Sequence, residues 1–220
     1  MTLTGSEAKH MHVMRIEEGE KCELVNGKGD LCIVAVSKKS AHAITVEIES
    51  VHKEKKPKSS FHLALGLQKS SHLELAIEKG VELGVFSFSL FPADQSEKKE
   101  IKEHALCRLQ TITISAMKQS GRLFLPKISF YSSLEEIPSF SGERYFGDIK
   151  KEAPWFLPPK GDSLLFFIGP EKGWSKKEIS FLENRVQAKG VKLSRHILRA
   201  ETAAICAAVL GGYFLQAPPL

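Results

Sequence analysis

Nowhere in these 220 residues does an uninterrupted apolar run approach the roughly 20 needed to span a bilayer. The opening MTLTGSEAKH lacks the basic-then-apolar order of a secretory signal, so a cytoplasmic protein with no membrane partner is expected. Cysteine is scarce. Cys22, Cys32, Cys107 and Cys206 lie too far apart for any C-x-x-C pair, which fits a reducing compartment. His10 and His12 have no cysteine at zinc-finger spacing, so no metal is expected. His42, His52, His62 and His72 recur at equal intervals, but their surroundings (AHA, VHK, FHL, SHL) share nothing, which excludes a repeat. There is no G-x-x-x-x-G-K-[ST] loop and no G-x-G-x-x-G after a strand, so neither an NTPase nor an ordinary dinucleotide-binding protein has support.

A chain of this length buries a core without disulfides, and its texture divides it in two. Residues up to about Ser50 read as β structure. ELVNGKGD carries the Asn26-Gly27 turn signal, and HAITVEIES alternates Ile44, Val46 and Ile48 inward with Thr45, Glu47 and Glu49 outward, as in a small barrel or curled sheet. VHKEKKPKSS, lysine-rich and without apolar periodicity, is the linker, giving domains over 1–58 and 59–220.

From Phe61 strands alternate with helices. FHLALGL reads as a strand, and Ser71 as the cap of a helix whose Leu73, Ile77 and Val81 share one face before Gly84 stops it. VFSFSLF follows as a parallel strand, then a long helix from about Glu97 to Gly121, and strands near Lys127–Tyr131, Arg144–Gly147 and Ser163–Ile168. The fold class is therefore α/β with a parallel sheet, and ligand chemistry belongs to its loops.

Net charge is +5, but it is unevenly placed. Ser96 to Lys127 holds Lys98, Lys99, Lys102, Arg108, Lys118, Arg122 and Lys127 against Glu97, Glu100 and Glu103. A solvated helix face and a phosphate-facing stripe both fit that composition.

Two bends stand out. In IGPEKGWSKKEI, Ser175 and Glu178 form a capping box and Trp174 with Ile179 a staple, so a helix starts at Lys176 and pins the bare turn Gly169 to Gly173 ahead of it. In KLSRHILRAETAAICAAVL a short strand passes through a Ser194-Arg195-His196 bend into a helix with Ala203, Ala204, Ala207 and Ala208 on a small-residue face. That face suits close packing against another element, and ordinary core packing explains it as well.

These stretches resemble a known family. IGPEKGWSKKEI is similar to GPEGG(F)S-x-x-E, HILRAETAA to RILRAETA, EKGVELGV to K-A-T-E-L-G-V, and AMKQSGR to A-x-E-Q-S-G-R, in the order found in bacterial methyltransferases that modify uridine N3 of 16S ribosomal RNA. HMHVMRIEEGEKCELVNGKG resembles that family's H-H-x-x-V-L-R stretch and D-G-x-G turn. Lys172 stands at the motif's second loop glycine, Leu193-Ser194-Arg195-His196 replace L-G-P-R, and the leading R-F-F strand is missing.

The resemblance implies a SPOUT fold with a C-terminal trefoil knot, an N-terminal PUA-like RNA-binding module, a homodimer, and S-adenosyl-L-methionine as cofactor. It places that cofactor against Gly147, Ile168, Gly169, Pro170, Glu171, Gly173, Leu193, Ser194, His196, Ile197 and Leu198. It also implies 16S ribosomal RNA or the small ribosomal subunit as partner, met by Arg15, Lys98, Lys99, Lys102, Lys118 and Arg122. Ala203 and Ala207 would pack in the knot or the dimer seam.

Uracil N3 is a weak acid, and a guanidinium suits the charge that develops on its carbonyl oxygens. Arg199 and Arg122 are the candidates. Arg199 could equally pair with Glu201, and for Arg122 phosphate contact is the stronger reading. Glu201 or Glu171 could take the proton, as could water, and Glu171 could instead bond its own turn. His196 is first a loop residue and second a proton carrier. Two rival functions remain at this point: a SPOUT enzyme acting on a 2′-hydroxyl of transfer RNA, and a non-catalytic RNA-binding protein.

Overall fold

The structure, a computed structural model, describes residues 1–216 as two compact units. The first comprises Met1–Lys56 together with Gly121–Phe124. The second comprises the remaining described residues from Pro57 onward.

The first unit is a four-stranded antiparallel sheet under one helix. Strands β1 (Thr2–Thr4), β2 (Lys21–Val25), β3 (Asp30–Lys39) and β4 (Ala43–Lys53) lie in the order β1-β4-β3-β2, and α1 (Gly5–Val13) covers one face. Its core is Ala8, Met11, Val34, Val36, Ile44 and Val46. Helix α1 falls where the sequence reads as β. Only Ala8 and Met11 of GSEAKHMHV are buried, one i,i+3 pair, so there is no stripe for periodicity to detect.

Ile48 departs from expectation as well: it is 52% exposed although Ile44 and Val46 are fully buried. The nine residues of α1 cover about 14 Å at 1.5 Å per residue, and the core cluster ends at Val46. Leu123 and Phe124 return to this unit across the turn at Gly29. The Gly29 amide donates to the Leu123 carbonyl at 2.9 Å, and a Cβ on Gly29 would stand 2.6 Å from the Phe124 ring.

The second unit is a parallel sheet of six strands with helices packed on it. In chain order it runs β5 (Ser60–Gly66), α2 (Ser70–Glu82), β6 (Ser87–Phe91), α3 (Glu103–Gln119), β7 (Lys127–Phe130), β8 (Glu143–Gly147), β9 (Ser163–Ile168), α4 (Lys176–Asn184), β10 (Lys189–Val191) and α5 (Ala200–Gln216). The sheet order is β10-β8-β9-β5-β6-β7, every pair parallel. Strand β9 lies between β8 and β5 with both faces covered, which explains its unbroken apolar run: Leu164, Leu165, Phe166, Phe167 and Ile168 are all buried. Each such side chain stabilises the fold by about 1.5–3 kcal/mol.

Two helix starts differ from the sequence reading. Helix α2 begins at Ser70 with Lys69 at the cap position, so Ser71 lies inside the first turn rather than capping it. The Lys69 amide is instead taken by the carboxylate of Glu171, at 2.9 Å and 102 residues away. Helix α3 begins at Glu103, not Glu97. Upstream of it the Lys99 ammonium bonds the carbonyls of Ala93 and Asp94, and Lys98 bonds the Ser70 hydroxyl, so Lys98, Lys99 and Lys118 do not share one helical face.

Candidate functional site

In a parallel sheet ligands collect beyond the carboxyl ends of the strands where the strand order reverses. Here β8, β9 and β10 end side by side at Gly147, Ile168 and Val191, and the loops that leave them enclose a cavity of about 600 Å³. Gly147, Ile168, Gly169, Pro170, Glu171, Gly173, Leu193, Ser194, His196, Ile197 and Leu198 all border it. The small-residue helix contributes Ala200 and Ala203. Ala204, Ala207 and Ala208 are fully buried instead, on a helix that packs against α2, β5 and β9.

The turn after β9 is held from four directions. Gly173, at φ +76°, donates its amide to the Pro170 carbonyl at 2.9 Å, a conformation that a side chain resists. Behind it the capping box is complete: the Ser175 hydroxyl accepts from the Glu178 amide and the Glu178 carboxylate from the Ser175 amide. The Trp174 indole lies against Gly169, where a Cβ would meet the ring at 3.1 Å, and its Nε1 donates to the Gly147 carbonyl at 3.1 Å, tying this turn to the loop after β8. Glu171 reaches to α2, accepting from the Lys69 amide and lying 3.3 Å from His72 Nδ1. Burial opposes ionisation of that carboxyl, but the Lys69 amide, its own backbone amide and His72 outweigh it and hold the group below the usual carboxylate range.

The other loops are tied more lightly. The Asp148 amide donates to the Val191 carbonyl, and its carboxylate accepts from the Lys150 amide. In the 193–198 bend the Ser194 hydroxyl accepts from the His196 amide at 3.2 Å, and the Cys206 thiol, its pKa raised by burial, reaches the Leu193 carbonyl. Ile197 is 78% exposed at the rim. Lys172, the residue in place of a motif glycine, lies 3.8 Å from Glu97.

The polar candidates separate. Arg199 is exposed, between the lining residues Leu198 and Ala200, and its guanidinium has no ion pair among the described residues, so the expected alternative pairing with Glu201 is not formed. Glu201 is buried, does not line the cavity, and has its Oε2 3.6 Å from His72 Nδ1 without a hydrogen-bond donor. Arg122 lies in the segment that belongs to the first unit, half-buried, with burial lowering its pKa from the ordinary arginine value. Arg15 is exposed in that unit at φ +57°. Lys98, Lys99 and Lys102 line a second cavity of about 550 Å³ with Gln68 and His104, and Lys118 sits in the last turn of α3.

Sequence reasoning missed His72 and Trp174 as site-building residues. For Trp174 the staple pattern was the available signal. For His72 there was none, because its partners are 99 and 129 positions away.

Comparison with known proteins identifies the family. Residues 54–210 match a family model described as an RNA methyltransferase domain, and residues 3–49 one described as an RNA methyltransferase PUA domain. The chain is 32% identical, over 94% of its length and 87% of the relative's, to ribosomal RNA small subunit methyltransferase E of Bacillus subtilis. It is 27% identical, over 89% of its length and 83% of the relative's, to ribosomal RNA small subunit methyltransferase E 2 of Borreliella burgdorferi. A crystal structure of ribosomal RNA small subunit methyltransferase E from Neisseria gonorrhoeae bound to S-adenosyl methionine superposes with a TM-score of 0.84 at 25% identity, covering 96% of this chain and 90% of that one. With a family model spanning more than half its length, the chain belongs to the RNA methyltransferase family, PUA domain included.

Proposed function

We propose that this chain transfers the methyl group of S-adenosyl-L-methionine to N3 of a uridine in 16S ribosomal RNA of the small subunit. The observation that carries this reading is the convergence of three strand-end loops on one cavity of about 600 Å³, in a chain of this family. The cavity falls in the size range of small-molecule sites, and its residues fit the cofactor. Ile168, Val191, Leu193 and Leu198 offer apolar walls to a flat base. A Cβ on Gly147 would meet Ile168 and Phe166 only at ordinary contact distance, 3.7 and 4.0 Å, so side chains do not crowd the loop after β8.

The bound cofactor supplies an electrophilic methyl. This chain's residues orient the acceptor and manage its charge. Arg199, exposed beside the cavity, donates forked hydrogen bonds to a uracil carbonyl oxygen as negative charge develops there. Glu201 is buried and does not line the cavity, and the N3 proton leaves to water. Arg15, Lys98, Lys99, Lys102, Lys118 and Arg122 meet phosphate. A PUA-like RNA-binding domain over 1–58, a trefoil-knotted SPOUT domain over 59–220, a cytoplasmic homodimer and independence of metal complete the proposal.

The test is methyl transfer from labelled cofactor to undermethylated small subunits, naked 16S RNA and transfer RNA, followed by nucleoside mass spectrometry. Label in N3-methyluridine of 16S RNA is expected. Label confined to transfer RNA, or no thermal stabilisation by saturating cofactor, would overturn the proposal.

A further inference from the structure

We infer that His72 is a positioning residue for the methyl transfer, its imidazole clamping together the two loops that form the cofactor cavity by engaging Glu171 and Glu201 at once. The inference rests on the cofactor role proposed for those loops.

His72 Nδ1 lies 3.3 Å from Glu171 Oε1 and 3.6 Å from Glu201 Oε2. Glu171 belongs to the turn after β9, and Glu201 to the first turn of α5, directly after the 193–198 bend. One side chain on α2 therefore reaches both the turn after β9 and the first turn of α5, which follows the bend that borders the cavity. The grip on Glu171 is double, because the same carboxylate oxygen accepts the Lys69 amide at the start of α2.

Glu201 gives the independent observation. The residue is 7% exposed, and its Oε2 is buried with no hydrogen-bond donor. An unpaired buried acceptor is destabilising, and His72 Nδ1 lies beside it at 3.6 Å. A single N–H cannot point at two oxygens, so Nδ1 stands at hydrogen-bond distance from Glu171 and at ion-pair distance from Glu201. Glu171 and Glu201, one from each element packed there, are the charged groups in contact with the ring among the described residues.

Glu171, held below the usual carboxylate range, stays an acceptor for the ring, and the clamp fixes the registration of the loops on which a transfer geometry depends.

Two measurements on the full chain decide it. The first is hydrogen exchange at the Lys69 amide in the cofactor-free protein. The second is calorimetric affinity for S-adenosyl-L-methionine in wild type, His72→Leu and His72→Arg. His72→Leu is expected to lose about two- to tenfold in affinity and to exchange Lys69 faster, whereas His72→Arg, which keeps a donor between the two carboxylates, should restore both. Equal Lys69 exchange in wild type and His72→Leu overturns the clamp, as does a His72→Arg variant that binds and exchanges like His72→Leu. A wild type that binds no cofactor overturns the proposed function instead, and exchange at Lys69 still decides whether the clamp exists.

Discussion

The carboxylate of Glu178 accepts the backbone amide of Asp94 at 2.9 Å, across 84 residues of sequence, while its other oxygen accepts the Ser175 amide at 2.8 Å. The residue is 5% exposed, and the Ser175 hydroxyl that it faces also bonds Asp94. One local capping device thus ties the start of α4 to the loop after β6. Glu178→Ala leaves two amides without partners and should destabilise the chain by about 2–4 kcal/mol, with Glu178→Gln losing less. Urea unfolding midpoints measure this, and a change below about 0.5 kcal/mol for Glu178→Ala would contradict it.

Where the deciding contacts are local, the sequence is legible. The capping box spans four residues and β9 is one continuous apolar run, so both were readable in place. The first residue of helix α2 is not legible in the sequence, because the group that satisfies its leading amide, Glu171, comes from another loop. The start of α3 is likewise hidden, because Lys98 and Lys99, good helix formers by propensity, are held by Ser70, Ala93 and Asp94 instead. Periodicity could not find α1, which buries one pair of residues. Motif resemblance is what marks the cavity loops in the sequence. Turn chemistry alone would have left Gly169 to Gly173 as one more turn.

Gly173 carries a φ of +76°, and no heavy atom lies within 4 Å of where its Cβ would sit. Substitution there meets backbone strain without a clash. Gly173→Ala should cost about 1–2 kcal/mol and weaken cofactor binding as the turn relaxes, and Gly173→Asn should cost less because asparagine tolerates that region. Thermal melts and calorimetry on both variants check the order. Equal losses in the two would point to a cause other than the dihedral.

Arg199 is solvent-exposed, and its guanidinium has no ion pair among the described residues. Arg199→Ala should lower kcat by about 10²–10³ with cofactor affinity and melting temperature unchanged, and Arg199→Lys should recover only part, since an ammonium lacks the planar fork. A variant that loses cofactor affinity while keeping kcat would place the guanidinium on the cofactor instead.

Lys102 and Lys99 differ in attachment. Lys102 has no side-chain partner among the described residues, whereas Lys99 bonds the carbonyls of Ala93 and Asp94 at 2.7 and 2.9 Å. Lys102→Ala should weaken RNA binding and reduce the slope of log affinity against log salt by about 0.7–0.9, leaving the melting temperature unchanged. Lys99→Ala should lower the melting temperature, because it frees two carbonyls. Filter binding over a salt series, paired with melts, separates the two. An unchanged slope for Lys102→Ala would remove that residue from the phosphate contacts.

Glu143 gives an acid limb to stability. Burial opposes its ionisation, but the Tyr145 hydroxyl and the amides of Gly161 and Lys160 all donate to its carboxylate, Lys189 adds attraction, and the net effect lowers its pKa. Burial, reinforced by Glu143, pushes the Tyr145 phenol upward, so the phenol remains the donor throughout the acid range. A carboxyl with a depressed folded-state pKa contributes stability that is fully present above its unfolded value, about 4.3, and is lost as pH falls through the folded value. Urea midpoints should therefore drop between about pH 5 and pH 3 in the wild type and drop less steeply in Glu143→Gln. Tyr145→Phe, which removes one of the donors, should show an intermediate slope. Parallel curves for the wild type and Glu143→Gln would assign the acid limb to other carboxylates.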